Sequence, residues 1–457
     1  MMRAICLIIA TGSILGLTLM IQGGSEVKEL RIATFDVDVT PPIGSPVAYA
    51  SARKIDDPLT ARGVVLLGAG QPIVLCAVDF IGIGNEGFDA WRNELAEAAG
   101  TTPDRVAVHS LHQHDTPRCD FGAEAILAKV ELGGKHFDNK YLKRTIQKVA
   151  KAIKVAIPQS RKVTHVGVGK AKVEKVASNR RLLGPDGKVE LVRWSRSTNP
   201  MAIAAPEGVI DPYVGLVSFW SGSMPIASLT YYATHPQSYY GQGDVTSDFP
   251  GIARTMRDKQ LPKVLHVHFT GAGGNVAAGK YNDGSKKMRP ILAKRVAQGM
   301  KRAWEGMKKS PITPTDVLWT VVPVELPVAS HLEKDKLVTI IRDKKARASV
   351  RLNSASHLAW LERCKAGKSI DLSCLRLGKT ASIVHMPGEL FVEYQLMAQK
   401  MLSEQTVCMA AYGDYGPGYI GTEIAYTQGG YETSQRASRV GPKVEGVLRK
   451  ALKKLLR

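Results

Sequence analysis

Apolar and polar positions alternate with a period of two in some short runs, and other short runs are almost entirely apolar; both patterns predict β-strands. The predicted strands cover residues 30–40, 62–67, 72–78, 105–110, 163–173, 214–220, 225–233, 264–269, 312–326 and 377–385. Apolar residues spaced three and four apart predict helices at residues 89–99, 140–157, 291–304, 390–402 and 443–456, with a mostly helical, charged stretch at 332–363. Asp248 and Pro250 are predicted to open one more helix, with Asp248 as its cap.

The predicted strands and helices are mixed along the chain, without an internal repeat or a linker-like segment. This order predicts an α+β fold in which mixed, largely antiparallel β-sheets are flanked by helices. We expect residues 25–457 to form one large domain.

The amino terminus differs in pattern from the rest of the chain. Residues 4–21 are apolar, follow Arg3 and precede the polar residues 22–26, which is the layout of a secretory signal peptide over residues 1–24. The run is close to the minimum length of a membrane span and no Ala-x-Ala site follows it, so an uncleaved anchor is the alternative. Either way, we expect the domain to be secreted or periplasmic.

The net charge indicates a class of binding partner, and the cysteine content indicates which thiols are paired or free. The formal net charge is +21, which favours attraction to an anionic membrane or polysaccharide surface. The basic residues are scattered and no recognition motif accompanies them, so nucleic acid is not an expected partner. The six cysteines are too few for a disulfide scaffold; Cys364 and Cys374 are the expected pair, and Cys76 is expected to be a buried thiol.

A histidine cluster follows the predicted strand at 105–110. His112 and His114 are two positions apart, and in extended backbone such residues point to the same face. Imidazole is the commonest metal ligand, and a catalytic zinc site typically uses three protein ligands and leaves one position open. Two histidines alone fit a polar loop equally well, so the metal hypothesis depends on ligands further along the chain.

Three downstream segments carry suitable residues. His235 follows the hairpin predicted at 214–233, and Glu389 follows the strand predicted at 377–385. A segment rich in glycine and tyrosine begins at residue 410. The glycine-rich residues 270–279 match neither the phosphate loop nor the dinucleotide pattern; they allow a close backbone approach to a ligand oxygen or form a tight turn.

The order of these motifs resembles the amino-terminal catalytic domain of the neutral or alkaline non-lysosomal ceramidases. The matching segments are Asp38-Val-Thr-Pro-Pro-Ile-Gly44, Leu111-His-Gln-His-Asp-Thr-Pro117, Ala233-Thr-His-Pro236, Pro387-Gly-Glu389 and the tyrosine segment from Tyr419 to Tyr431-Glu432. Each motif is short, and their common order is more specific than any one of them. The resemblance extends over roughly residues 30 to 456.

The resemblance implies a set of roles for residues of this chain. It implies zinc (Zn2+) as the cofactor and four zinc ligands, His112, His235, Glu389 and Tyr431. It also implies that His114 transfers a proton or binds substrate beside the metal and that Arg180 contacts substrate. Such an ion lowers the pKa of a bound water toward ~7 and polarises an amide carbonyl.

Two of these roles have structural alternatives. Tyr431 is alternatively a buried, hydrogen-bonded tyrosine, with Tyr426 or Tyr419 nearer the metal. Glu389 is alternatively a cap of the helix that it precedes.

The chain departs from the family in two respects. The family's catalytic serine corresponds to Ala277, which has no hydroxyl. Cleavage would then depend on His114 or Asp115 as the base, and on the backbone of Gly273 and Gly274 or on the nearby Lys280 and Tyr281 to steady the oxyanion. We also expect no carboxy-terminal immunoglobulin-like domain of the kind that follows in ceramidases.

The sequence therefore predicts an exported, zinc-dependent, ceramidase-like hydrolase of an amide bond. Its substrate would be N-acylsphingosine or another N-acyl amide or ester, and its role would lie in sphingolipid or other lipid metabolism. The alternative is a non-catalytic exported binding protein that retains the ceramidase-like pocket.

Overall fold

A computed structural model describes residues 29–457. The predicted signal segment, residues 1–24, lies outside them. The α-helices of the described part are α1 (Glu86–Ala99), α2 (Phe121–Ala128), α3 (Asn139–Ala156), α4 (Pro200–Ala204), α5 (Asp248–Gln260), α6 (Met288–Glu305), α7 (Lys334–Arg342), α8 (Ala348–Lys365), α9 (Val392–Met401), α10 (Glu423–Gln428) and α11 (Val444–Leu455). From residue 29 onward, none of the helices is both long and apolar enough to cross a membrane.

Three larger sheets share one design: neighbouring strands run antiparallel, except for one parallel pair at an edge of the sheet. The first sheet has the strand order Arg161–Lys162, Arg31–Asp38, Thr60–Gly68, Gly70–Val78 and Val106–Ser110, and its last two strands are parallel. The second has the order Leu265–Thr270, Met224–Tyr232, Tyr213–Ser221, His165–Lys172 and Lys308–Pro311, and its first two are parallel. The third has the order Val317–Val324, Ile370–Leu377, Ala381–His385 and Thr406–Ala410, and its last two are parallel.

Shorter strand pairs connect these sheets. They are Gly82–Ile83 with Arg118–Cys119, Pro46–Val47 with Ala50–Ser51, Lys54–Ile55 with Asp244–Val245, Ser178–Asn179 with Val276–Ala277, Arg181–Leu183 with Val189–Val192, and Glu389–Leu390 with Tyr419–Ile420. The α+β architecture with largely antiparallel sheets, in one domain, is the predicted one.

The core follows from the two-residue alternation of the strands. One face of each larger sheet contributes to a shared central cluster, which includes Val64, Phe219 and Ile383. The opposite faces pack under helices: α1 and α3 cover the first sheet, α5 and α6 the second, and α9 and α11 the third. Helices therefore lie outside and sheets inside.

The three parallel pairs determine where chemistry can occur. Their carboxyl ends lead into the segments that hold His112, His235 and Glu389, respectively. Residues at these ends touch across the sheets: the His109 ring lies 5.9 Å from Phe269 of the second sheet and 5.3 Å from His385 of the third. Because all three pairs end in one region, the three sheets carry side chains from distant parts of the chain to one place.

Some predicted elements and contacts differ from the structure. Helix α2 and the strand Ile370–Leu377 were not predicted. Cys364 and Cys374 are both free, because Cys374 faces the interior from the centre of its strand while Cys364 lies in the last turn of α8. Cys76 is buried, as predicted. Asp248 is the first residue of α5, at φ 48°, and Ser247 is the N-cap.

Candidate metal and substrate site

His112 and His114 come together by a different route from the predicted one. His112 adopts a left-handed conformation (φ 74°), so the chain turns sharply after the strand Val106–Ser110 instead of continuing extended. Its N–H donates to the carbonyl of Phe80 at 2.8 Å, and the ring of Tyr412 stacks on it at 4.7 Å. The two imidazole Nε2 atoms end 3.3 Å apart. A strained conformation held by several contacts is typical of functional sites.

His235 and Glu389 reach the same point from the second and third sheets. Nε2 of His235 lies 3.1 Å from Oε2 of Glu389, and Nε2 of His112 lies 3.2 Å from the same oxygen. All three side chains are buried. Glu389 therefore faces the imidazoles, and α9 starts only at Val392 with Phe391 as its N-cap, so Glu389 does not cap that helix.

The tautomers of these two histidines follow from their hydrogen bonds. Nδ1–H of His112 donates to the carbonyl of Ile81 at 2.5 Å, and Nδ1–H of His235 donates to the carbonyl of Gly273 at 2.7 Å. In a neutral imidazole the other nitrogen then carries only a lone pair. Burial lowers the pKa of His235 to about 4, so this ring is neutral at pH 7.

This arrangement fits a metal ion. Oε2 of Glu389 is buried without a hydrogen-bond donor, and two imidazole lone pairs face it at hydrogen-bond distance. Lone pairs and a carboxylate oxygen repel one another unless a cation lies between them. Ligand atoms about 2.0–2.1 Å from a tetrahedral zinc lie about 3.3 Å from each other, close to the separations in this cluster. His112, His114 and His235 also satisfy the general geometry of a metal-binding group.

The role of His114 differs from that of the other two histidines. The carboxamide oxygen of Gln237 accepts a hydrogen bond from the Ser195 hydroxyl. The NH2 group of Gln237 therefore faces His114 and donates to its Nδ1 at 3.0 Å. Nε2 of His114 therefore carries the proton and faces the cluster. Burial lowers the pKa of His114 well below its ordinary value, so the ring is neutral. These contacts give His114 a transferable proton.

Tyr419 lies beside His235 at the cluster. Its hydroxyl lies 3.2 Å from Nε2 of His235, and the two rings stack at 6.0 Å. Tyr431 lies one ring further out, edge-on to Tyr419 at 5.7 Å and against Trp194 at 5.2 Å. Tyr426 donates to or accepts from the Ser438 hydroxyl and does not join the cluster. The resemblance to the ceramidases had implied Tyr431, whereas the backbone pairing brings Tyr419 beside Glu389.

Two more groups support this end of the cluster, one of which the sequence did not indicate. The Tyr415 hydroxyl donates to Oε1 of Glu389 at 2.5 Å and so leaves Oε2 for the imidazoles. The predicted Arg180 is buried and donates to the Tyr419 hydroxyl at 3.0 Å, while its Nε lies 3.2 Å from Glu432. Burial alone would lower the pKa of Arg180, but Tyr419 and Glu432 outweigh it, so the guanidinium is charged. Arg180 therefore contacts the candidate ligand Tyr419.

The other predicted catalytic groups have structural contacts. The Asp115 carboxylate accepts the N–H groups of Gly241 (3.0 Å) and Gly243 (3.3 Å), and so holds the loop whose Tyr240 ring lies 4.9 Å from His114. The N–H of Gly274 donates to the carbonyl of Leu390 at 2.8 Å, which removes it as an oxyanion donor. A Cβ at Gly274 would lie 2.3 Å from the carbonyl oxygen of Glu389. Asp115 and Gly274 thus position the cluster.

Lys280 and Tyr281 are directed away from the cluster. The Lys280 ammonium donates to the carbonyls of Ile203 and Ala205, both at 2.6 Å, at the end of the unpredicted helix α4. The Tyr281 hydroxyl donates to Glu207 at 2.5 Å. Ala277 is buried in the pairing with Ser178. The structure therefore does not bring these three residues to the cluster.

A cavity of about 520 Å³ opens from the cluster to the surface. Its buried end is lined by His112, His114, Glu389 and Tyr415, and its outer part by residues of α8 and of the segment 436–439. The volume is in the range of small-molecule sites. The cluster is thus accessible to a substrate.

No protein-family model and no curated protein matches the sequence. Solved structures of similar fold include two ceramidases. A ceramidase complexed with C2 matches with a TM-score of 0.68 and 14% identity, over 94% of this chain and 75% of that one. The chain has a neutral ceramidase-like fold. The neutral ceramidase of Pseudomonas aeruginosa matches with a TM-score of 0.67 and 14% identity, over 94% of this chain and 74% of that one. At this identity the similarity establishes the ceramidase-like fold, and the resemblance inferred from the motifs is confirmed at that level.

Proposed function

We propose that this chain is an exported, zinc-dependent hydrolase of an N-acyl amide. The observation that carries the proposal is Oε2 of Glu389, a buried carboxylate oxygen without a hydrogen-bond donor that faces Nε2 of both His112 and His235. An imidazole, imidazole, carboxylate set suits zinc, and a catalytic zinc site also needs an open position. The cavity that reaches the cluster supports such a position.

In this proposal His112, His235 and Glu389 hold the ion, and Tyr419 replaces Tyr431 as the fourth candidate ligand. The Tyr419 hydroxyl is 3.2 Å from Nε2 of His235 and accepts a hydrogen bond from Arg180 at 3.0 Å. Burial raises the pKa of Tyr419, and the positive charge of Arg180 opposes that shift. When bound, the ion supplies Lewis-acid polarisation and lowers the pKa of water at the site.

His114 is the proposed general acid and base. Its Nε2–H faces the cluster, its Nδ1 is held by Gln237, and its Nε2 is 3.3 Å from Nε2 of His112. The Tyr49 hydroxyl lies 3.1 Å from the same Nδ1, and the two rings stack at 5.6 Å. These contacts fix the ring so that Nε2 can give a proton to the departing amine.

The alternative of a non-catalytic binding protein also has a specific observation in its favour. Ala277 supplies no nucleophile, and the N–H of Gly274 is already donated to Leu390. In this alternative the same cavity holds an amide-containing ligand and cleaves nothing. The buried proton-bearing His114 argues for the enzyme, because a site that only binds has no need of it.

The two functions separate in an assay of the full chain with zinc, using N-octanoylethanolamine and N-octanoylsphingosine. The enzyme releases octanoate, loses activity on chelation and regains it when zinc is restored. His114→Gln should retain zinc and lower kcat by about 100-fold or more, since acid and base groups contribute that much. His165→Gln, on a strand distant from the cluster, is the matched control. Zinc-loaded protein that binds these amides without cleaving them would contradict the enzyme and favour the binding protein.

A further inference from the structure

Four arginines line the cavity: Arg118, Arg347, Arg436 and Arg439. Glu389 is the only carboxylate among the lining residues, and it lies at the buried end among the imidazoles. None of the four arginines is in an ion pair within residues 29–457, whereas most of the buried arginines of this part of the chain pair with a carboxylate. The residues that line the cavity therefore carry an excess of positive charge.

Arg439 is the most informative of the four because it is only 7% exposed. One guanidinium nitrogen donates to the carbonyls of Gly416 at 2.7 Å and Tyr415 at 3.3 Å, but Nε is buried without a partner. Burial lowers the pKa of Arg439. Burying a guanidinium without a counter-ion is unfavourable unless an anion completes the arrangement.

Arg118 provides a second group with free donor capacity. It is half-buried, its guanidinium lies 5.7 Å from the Tyr49 ring centre, and its Nε is also buried without a partner. Its one hydrogen bond is long, 3.4 Å to the carbonyl of Ala48. Since Tyr49 contacts His114, Arg118 lies one ring away from the proposed proton donor.

Arg347 and Arg436 extend the positive surface to the mouth of the cavity. Both are exposed, and Arg347 is the N-cap of α8, whose dipole adds positive potential at that end. Exposed arginines at an entrance attract an anion from solution, and buried arginines bind it through directed hydrogen bonds. The four side chains together form an entrance and a binding end.

We propose that the substrate carries an anionic carboxylate or phosphate group close to its amide, and that Arg439 and Arg118 bind this group. The inference deepens the proposed function and rests on it for the amide, but not for the charge. It predicts that an uncharged sphingolipid amide is a poorer ligand than an anionic N-acyl amide of equal length. Guanidinium groups bind the oxygens of carboxylates and phosphates through paired, charge-assisted hydrogen bonds.

The test uses three ligands that differ only near the amide: N-octanoylethanolamine is neutral, N-octanoylglycine carries a carboxylate and O-phospho-N-octanoylethanolamine carries a phosphate. Calorimetric Kd values are measured on the full chain after chelation, so that recognition is separated from turnover. At least one anionic ligand should bind about tenfold more tightly than the neutral one, because charged hydrogen bonds contribute that much. The preference should weaken at high salt.

Variants identify the groups responsible. The double variant with Arg347→Gln and Arg436→Gln changes two exposed side chains. It should reduce the preference for the anionic ligands roughly threefold or more. Arg439→Gln should abolish most of it while the Kd of the neutral ligand changes little. Arg144→Gln, an exposed arginine on α3 outside the cavity, should have no effect.

The possible failures are distinguishable. Equal Kd values for the neutral and both anionic ligands, or an anion preference that survives in both arginine variants, would overturn the inference. If the zinc-loaded protein still cleaved the neutral amide, the proposed hydrolase function would stand although the inference about the anionic group had failed. Conversely, an arginine-dependent anion preference without cleavage of any of the three would support the inference and contradict the proposed hydrolase.

Discussion

Glu389 and Tyr419 face each other in a two-residue parallel strand pair. The N–H of Glu389 donates to the carbonyl of Gly418 at 2.9 Å, and the pairing places both side chains beside His235. Thirty positions of sequence separate the two residues, yet the ladder fixes their distance. The pair is the structural reason to regard Tyr419, and not Tyr431, as the tyrosine of the proposed metal site.

Tyr419→Phe should therefore weaken zinc binding by at least about tenfold, as loss of a group at or next to a metal does. Tyr431→Phe is the matched control and should leave zinc affinity unchanged, because Tyr431 packs on the outer side of Tyr419. Competition with a chromophoric chelator measures both affinities. A larger loss in Tyr431→Phe than in Tyr419→Phe would reverse the assignment.

Gly274→Ala tests the close approach of the glycine-rich loop to Glu389. The added Cβ would lie 2.3 Å from the carbonyl oxygen of Glu389 and 2.9 Å from that of Leu390, and neither backbone atom can rotate away. We expect the free energy of unfolding to fall by about 1–3 kcal/mol, as for overpacked interiors, and zinc affinity to fall with it. Gly446→Ala in α11 meets no atom within 4 Å and should be neutral or stabilising. Urea unfolding compares the two, and an unchanged midpoint in Gly274→Ala would contradict the packing described.

Asp79 connects the end of a first-sheet strand to helix α5 and to the histidine loop. Its carboxylate pairs with Arg254 at 2.6 Å and accepts from Gln113, the residue between the two histidines, at 2.7 Å. Asp79→Ala leaves the buried Arg254 unpaired and should lower the free energy of unfolding by about 3–5 kcal/mol. Glu131→Gln removes an exposed pair with Lys344 and should leave the urea midpoint where it is. Similar midpoints for both variants would show that the buried pair is not required.

Asp120 gives a pH dependence of known sign. Burial raises the pKa of its carboxyl to about 7, well above the roughly 3.9 of an unfolded chain. Between these values the folded chain holds the proton more tightly than the unfolded chain does. Asp120 thus contributes fully to the free energy of unfolding below about pH 4, and this contribution disappears as the pH rises to about 7.

Asp120→Asn keeps an N-cap on α2 and removes this titration. As the pH rises from 5 to 8, the free energy of unfolding should fall in the unaltered chain by roughly 1–3 kcal/mol more than it does in the variant. Urea unfolding with a chelator present keeps metal release out of the comparison, and Asp186→Asn on the surface is the control. Parallel pH profiles for Asp120→Asn and the unaltered chain would refute the assignment.

The sequence was sufficient for most of the longer strands and for three of the cluster residues. His112, His235 and Glu389 each follow a predicted strand, and the loops at strand ends are favoured places for functional groups. The left-handed turn at His112 was not predictable, because a histidine at positive φ depends on contacts with Phe80 and Tyr412 from elsewhere in the chain. The residues of the site were therefore predictable from the sequence, although the backbone conformation of His112 was not.

The remaining site residues depend on long-range pairing that sequence spacing does not encode. Tyr419 is selected by its ladder with Glu389, and Lys280 is diverted by α4, a five-residue helix with little periodicity. The N–H of Gly274 donates to the carbonyl of Leu390, which lies more than a hundred residues later in the chain. Arg118 and Arg439 meet in one cavity from distant segments, so their common charge appears only in the folded chain.

The most direct test of the proposed metal site is elemental analysis of the purified full chain, unaltered and as His235→Ala. We predict close to one zinc per chain in the unaltered protein and nearly none in the variant, with the variant still folded by circular dichroism. No stoichiometric metal in zinc-supplemented protein, or the same zinc content in both proteins, would contradict this prediction.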